Sequence, residues 1–299
     1  MKANKASRTA QYMALYRALE TRRPPKNRLF SDPYAIHFLD KGFQLACRAC
    51  SILPLESLFY RIIQRRMPGA LASGLARTYY IDELLKRTIR AGARQVIILG
   101  AGFDTRALRL PILKNVPVIE IDHPDTARSK MNTLKKVLGG ALPTHIRYLQ
   151  TDFGRQGLAE LFREQAIDLS IPTTFIWEGM TNYLQREAVG KVFALAGEFP
   201  AGSSIIFTYI DKKVLDQPSA FFGAERLLKD LDRIEEKWTC GFAPEELPEF
   251  LRPFHLQLVE DKGAEDYREN YIPERTRILK GYEFYRVAMA VRAMDPASK

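Results

Sequence analysis

Cysteine and histidine are scarce in this chain, 3 and 4 among 299 residues. Cys47 and Cys50 form one C-x-x-C with no second pair, and Cys240 stands alone. No disulfide framework follows, and the pair reads as ordinary thiols rather than zinc ligands. His37, His123, His145 and His255 are widely spaced and form no ligand pair at helical spacing, so no metal is expected. No stretch approaches the roughly 18 uninterrupted apolar residues of a spanning helix. The opening MKANKASRTAQYMALYRA has neither the apolar centre nor the cleavage site of a signal peptide. The expectation is a cytoplasmic protein without membrane insertion. Repeats and low-complexity linkers are also missing, which predicts one domain over 1–299.

What is present is enough for a sizeable core, since 46% of the residues are hydrophobic. The net charge of +10 comes from Lys and Arg spread along the chain, with no nucleic-acid motif. Small acidic substrates suit that charge, and no nucleic-acid partner is expected. The chain is organised around residues 92–106, where the apolar run Val96 to Leu99 breaks into Gly100-Ala101-Gly102 and then enters a helical pattern. This reads as a strand buried on both faces, a sharp turn and a helix. Two glycines let the backbone approach a ligand at the carboxyl edge of a parallel sheet, although a Gly-x-Gly alone can be only a tight turn. Asp122 ends the next apolar segment, Val116 to Ile121, twenty residues after Gly102, where such folds place an acid on ribose hydroxyls. The dinucleotide fingerprint asks for a third glycine where Thr105 stands, and Asp104 would repel a pyrophosphate, which disfavours NAD.

The first ninety residues read as helical. Tyr12, Leu15, Tyr16 and Leu19 recur at helical spacing after Ser7, a candidate cap, and Pro24-Pro25 ends that helix. A second helix is expected from Asp32-Pro33. The segment from Phe43 to Met67 reads as a helical cap over the crevice rather than a membrane-surface helix, because Pro54 and Glu56 interrupt its basic face. A helix opening with Arg77 and carrying Ile81, Leu84, Leu85 and Thr88 on one side should lie on the sheet. Further strands are expected at His145 to Leu149, Thr173 to Trp177 and Ser204 to Tyr209, ending near Asp152, Glu178 and Asp211. Asp211 to Trp238 then reads as a charged helical insertion, and Leu256 to Glu260 and Tyr285 to Val291 as two last strands.

The motifs GARQVIILGAGFDTRALRL, VIEIDHP, TDF and IWEGMTNYL resemble the leucine carboxyl methyltransferase family, in particular its bacterial branch of S-adenosylmethionine-dependent methyltransferases, which includes a tetracenomycin polyketide O-methyltransferase. The resemblance begins near SRTAQYMALYRALETRRP, takes in SDPYAIHFLD and ARTYYID, and continues weakly to GFAPEELPEFL and YRVAMAVRA. It implies an α/β, Rossmann-like class I methyltransferase fold: a mostly parallel seven-stranded sheet with an N-terminal helical cap (1–76), a cofactor-binding core (77–210), and a C-terminal lid insertion with the last strands (211–299). By the same resemblance Arg77 binds the methionine carboxylate, Asp122 holds the ribose, Asp152 meets the adenine amino group, and Glu178 lies beside the methionine portion, with the Gly100 and Gly102 turn approaching the cofactor. A guanidinium suits the first role, because it can grip a carboxylate with two parallel hydrogen bonds. The alternative for Arg77 is a surface pair with Asp82 or Glu83.

The activity this implies is an S-adenosylmethionine-dependent O-methyltransferase acting on a carboxylate, or another oxygen, of a small metabolite. A carboxylate is ionised at neutral pH and needs no general base, whereas a phenol would benefit from one. Tyr183 and Tyr209 are candidates for positioning the acceptor, with Tyr80 as a further lining group and Arg106 as a candidate to hold an anionic group. A phenolic O-methyltransferase of secondary metabolism, a non-catalytic S-adenosylmethionine-binding protein and a nicotinamide oxidoreductase are the alternative readings, with RNA methylation suggested only by the basic charge.

Overall fold

A computed structural model of the chain describes residues 8–49, 55–152, 157–233, 236–271 and 280–293. The apolar runs become strands: β1 (Gln95–Leu99), β2 (Val118–Asp122), β3 (Ile146–Gln150), β4 (Thr173–Trp177) and β5 (Ser204–Ile210), followed by β6 (Leu256–Lys262) and β7 (Tyr285–Arg292). Helices α1 (Arg8–Arg22), α2 (Lys41–Ala49), α3 (Leu55–Arg66) and α4 (Ala70–Arg90) precede the sheet. Within it run α5 (Arg106–Arg109), α6 (Pro124–Val137), α7 (Leu158–Glu164) and α8 (Arg186–Gly197). After β5 come α9 (Lys213–Asp216), α10 (Ala224–Arg233), α11 (Leu247–Leu251) and α12 (Ala264–Tyr271).

The seven strands lie in the order β3-β2-β1-β4-β5-β7-β6, parallel except for β7, which is antiparallel to both of its neighbours. β1 sits between β2 and β4, so the winding direction reverses beside it, and a crevice opens at the carboxyl ends of those strands. Every residue of β1, β4 and β5 is buried, because helices cover both faces. Strand alternation sorts the side chains. Ile97, Leu99, Phe175, Trp177 and Phe207 pack with Phe162, Phe193 and Leu247 on one face. Val96, Ile98, Ile176 and Ile206 pack with Ile81, Leu84 and Leu85 of α4 on the other. A third cluster joins Leu15 and Leu19 of α1 to Leu71 and Leu75 of α4, and to Val214, Ala224 and Phe284. The N-terminal helices and the insertion after β5 therefore share one apolar core.

Several boundaries differ from the sequence reading. β2 begins at Val118 because Pro117 has no N–H to give; its carbonyl accepts from Val96 N–H instead, at 3.0 Å. Asp32-Pro33 is followed by a single 3-10 turn, Ala35–Phe38, rather than a helix. One Asp32 oxygen accepts from the Tyr34 and Ala35 N–H groups and so ends as a local turn. The helix of Arg77 begins earlier, at Ala70, after Gly69 turns the chain at φ +91°. The candidate cap Ser7, together with Cys50 and Pro54, lies outside the described residues. No helix among the described residues is long and apolar enough to cross a membrane.

One packing contact makes the α8 end a sensitive point. A Cβ added at Gly197 would fall 2.1 Å from the backbone carbonyl oxygen of Phe254. Backbone can yield only by separating α8 from the turn before β6, so Gly197→Ala is expected to lower stability by about 1 to 3 kcal/mol in urea unfolding. A wild-type midpoint would show that the two segments are not held together this closely.

Candidate functional site

The turn after β1 is built on left-handed glycines, Gly100 at φ +63° and Gly102 at φ +47°. At Gly100 a Cβ would lie 2.6 Å from Met180, so the turn is pressed against the loop after β4. The end of β2 closes the same corner. The Asp122 carboxylate accepts from the Gly102 N–H and, at 2.6 Å, from the His123 N–H. Burial nevertheless raises its pKa, outweighing those donors. Two residues earlier on the strand, Glu120 is buried beside Lys130 of α6, with Nζ and Oε2 2.5 Å apart in a pair whose angles are not those of an aligned hydrogen bond. Burial pushes Glu120 up to about 7 despite that lysine.

At the end of β4, Glu178 lies between two arginines. It accepts from Arg77 Nε at 2.8 Å and from Arg106 Nη1 at 2.9 Å. Burial would raise its pKa, but Arg106 and Arg77 hold it below the ordinary value, so Glu178 is ionised. Arg77 is 8% exposed and lies over the Tyr285 ring at 4.6 Å. The surface-pair reading fails because its proposed partners are taken. Asp82 receives Arg106 Nε at 2.8 Å and both Arg109 terminal nitrogens at 2.6 and 2.8 Å, and Glu83 receives Lys86 at 2.7 Å.

Arg106 serves three carboxylates at once: Asp82, Asp104 and Glu178. Asp104 is held at about 2, because Arg106 and more distant cations outweigh the effect of burial. The repulsion of a pyrophosphate expected from Asp104 is therefore weaker than its position in the sequence suggests, since its charge is compensated on the spot. The chain of pairs continues outward. Arg109 approaches Asp32 at 3.9 Å, and Asp32 accepts from Thr105 Oγ1 at 2.6 Å and from Arg17 Nε of α1 at 2.8 Å.

Above this floor lies a cavity of about 1070 Å³. It is lined by Arg77, Gly100, Gly102, Asp122, Glu178 and Tyr183 among the residues expected from the sequence, and also by Arg106. Asp152 follows β3, one strand further out, and is not among the lining residues. Tyr209 does not reach the cavity. Strand alternation sends Thr208 toward the loop after β4, where its hydroxyl accepts from Gly179 N–H at 2.8 Å, and sends Tyr209 to the opposite face. The Tyr209 hydroxyl donates to Asp261 at 2.7 Å and accepts from Arg286 Nε at 2.9 Å. Tyr80 is likewise turned away, bonded to Glu260. Met180, Trp238 and the Arg106 network were missed in the sequence. Only the acid inside VIEID, Glu120, carried a visible signal, a charge within an apolar run. Among the described residues no group of three His, Cys, Asp or Glu could hold a metal.

Residues 10–196 match the family model described as Leucine carboxyl methyltransferase. The chain is 28% identical over 220 residues to the protein of Bacillus subtilis named "Putative S-adenosyl-L-methionine-dependent methyltransferase", covering 73% of this chain and 72% of that one. A Frankia alni protein of the same description is 30% identical over 247 residues, 81% of this chain and 75% of its own. Among solved structures, a duf574 family protein of Streptomyces avermitilis superposes with a TM-score of 0.58 at 18% identity, over 92% of this chain and 100% of that one, a likeness of fold.

The Arg106 network has a stability cost that can be measured. Arg106→Gln would leave Asp82, Asp104 and Glu178 short of their shared cation, and a loss of about 3 to 5 kcal/mol in denaturant unfolding is expected. Asp104, depressed from 3.8 to about 2, contributes stability that is present above its unfolded pKa and lost as pH falls toward 2. Asp104→Asn should remove part of that acid-limb loss. An unchanged acid limb would mean that Asp104 titrates alike in folded and unfolded chains.

Proposed function

The chain belongs to the leucine carboxyl methyltransferase family and is an S-adenosylmethionine-dependent methyltransferase; from that premise we propose that it methylates an oxygen of a small metabolite, in the first place a carboxylate. The residues fit the cofactor. The glycine turn with its two left-handed positions leaves room for close approach, Asp122 presents a carboxylate at the end of β2, and Arg77 with Glu178 supplies a cation and an anion at the end of β4. In this reading Arg77 meets the methionine carboxylate, Asp122 the ribose beside the Gly100 and Gly102 turn, and Glu178 the region of the sulfonium, while Asp152, outside the cavity lining, is left without a role. When bound, the cofactor would supply an activated methyl carbon, which an acceptor oxygen attacks as the carbon–sulfur bond breaks and S-adenosylhomocysteine leaves, with no protein nucleophile needed.

The observation that carries the carboxylate is the cavity lining, which has no histidine and no cysteine among the described residues. Burial pushes Tyr183 up to about 12, and Tyr16 and Tyr282 are also shifted upward by burial, so none of these three is a base near neutral pH. An acceptor that arrives already ionised needs none. What the chain then has to do is hold the acceptor in line and keep water out, tasks that suit the apolar residues Ile63, Met67, Leu227, Leu231 and Trp238 that also line the cavity.

Two measurements test this. Labelled cofactor incubated with libraries of carboxylic acids and phenols should give a product whose label is released by mild alkali, as methyl esters are; alkali-stable label would identify an aryl ether and a phenolic acceptor. Turnover should show no rising limb between about pH 8 and 9, above the titration of Glu120 near 7, because a carboxylate acceptor is already ionised there, and a limb in that range would reveal a base. Calorimetry with S-adenosylhomocysteine should show Asp122→Ala weakening binding about ten- to more than a hundredfold, the worth of about 1.5 to 3 kcal/mol in charge-assisted hydrogen bonds. Wild-type affinity in a folded variant would remove Asp122 from the site.

A further inference from the structure

The cavity is larger than one ligand requires, and its two ends differ in chemistry. At about 1070 Å³ it slightly exceeds the roughly 300 to 1,000 Å³ that hold a single small molecule. The inner end is the glycine turn with its paired acids and arginines. The outer end is apolar, walled by Ile63 and Met67 from α3 and its end, by Leu227 and Leu231 from α10, and by Trp238. Beyond that wall, at the C-terminal end of α3, stand two more lining residues, Arg66 and Arg226.

These two guanidinium groups are unlike the inner ones. Arg226 Nη1 donates to the Arg65 carbonyl at 2.6 Å, which fixes the group beside the end of α3 and leaves its other N–H groups for something else. Arg66, the last residue of α3, is exposed, and no hydrogen bond or ion pair engages it among the described residues. The carboxylates on the same wall have other partners. Asp230 accepts from Arg233 at 3.1 Å and Glu236 from Thr9 at 3.0 Å, while Lys237, also on the wall, pairs with Asp232. The outer mouth thus carries four cationic side chains against two carboxylates.

Resting on the methyl-transfer reading, we propose that Arg66 and Arg226 form an anion subsite at the cavity mouth, and that the acceptor is an amphipathic molecule with an apolar body and a second anionic group remote from the oxygen that is methylated. The body lies against the α3 and α10 wall, and the second anion meets the two guanidinium groups. Arg226 is pre-positioned by its bond to Arg65, so little freedom is lost when the anion arrives. The subsite selects against acceptors that are apolar throughout, and it draws anionic ones toward the mouth in a salt-dependent way.

The test uses two fluorescent probes with the same aromatic body, 1-anilinonaphthalene-8-sulfonate and its uncharged counterpart N-phenyl-1-naphthylamine. The full-length protein is saturated with S-adenosylhomocysteine, and its binding is first confirmed by calorimetry. The sulfonate is expected to bind more tightly than the neutral probe, to weaken as salt rises, and to lose about three- to tenfold in Arg66→Gln and more in Arg66→Glu, while the neutral probe binds those variants as it binds wild type. Arg226→Gln should act in the same direction. Equal affinity for the two probes, an unchanged sulfonate affinity in both Arg66 variants, a parallel loss of the neutral probe, or binding of neither probe would each overturn the subsite. Failure of S-adenosylhomocysteine to bind would instead count against the cofactor reading, and the preference between the probes would still be measured on the ligand-free protein.

Discussion

The Arg106 guanidinium is the constraint on which the site depends. Three carboxylates from three parts of the chain, Asp82 on α4, Asp104 in the glycine turn and Glu178 after β4, converge on one buried cation. Any of these acids would be costly to bury alone, and removing the shared partner would leave Asp104 without its ion pair and Asp82 and Glu178 with only Arg109 and Arg77. The network therefore fixes the angle between α4, the turn and the end of β4. Because Asp82 also binds Arg109, and Arg109 leads through Asp32 to Arg17, the position of α1 is tied to the same group. A cap helix and a sheet edge are thus held in register by charge as well as by the apolar core they share.

This arrangement gives the crevice an uneven electrostatic floor without much net charge. Asp104 and Glu178 stay ionised because arginines face them, while Asp122 and Glu120 are shifted upward by burial. The corner of β2 is thus the part of the site most costly to leave charged and unpartnered, and Asp122 already draws on two backbone N–H groups to remain there. A ligand with hydroxyl donors at that corner and a cationic centre nearer Glu178 would meet complementary groups at both ends. The outer wall, apolar and rimmed by cations, does different work, and its α10 and Trp238 side lies beyond residue 196, where the family match ends.

Much of this is legible in the sequence. Gly100 and Gly102 after a four-residue apolar run gave the strand, the turn and the crevice, since only a buried parallel strand is apolar on both faces and only glycine takes the left-handed turn without penalty. Arg77, Asp122 and Glu178 were found as separate candidates at separate strand ends or on a flanking helix. That Glu178 holds both Arg77 and Arg106 was not legible, because residues 77, 106 and 178 have no local pattern that joins them. Tyr209 shows the opposite case. It looked suited to the acceptor because it sits at the end of a strand, but a one-residue alternation decides which face a side chain takes, and the polar partners Asp261 and Arg286 that claim its hydroxyl come from β6 and β7.

The sequence by itself determined the alternation of strands and helices, the place of the glycine turn and the acid that follows it, because these depend on hydrophobic period and backbone permissiveness, which are local properties. The tertiary structure alone decided which charges neutralise one another. It turned Asp104 from a repulsive carboxylate into one member of a compensated cluster, and it withdrew Tyr80 and Tyr209 from the cavity. It also assembled one binding space from α1, α3, α10 and three strand ends. Those outcomes depend on distances between residues far apart in the chain, and such distances are set only when the sheet and its helices have packed.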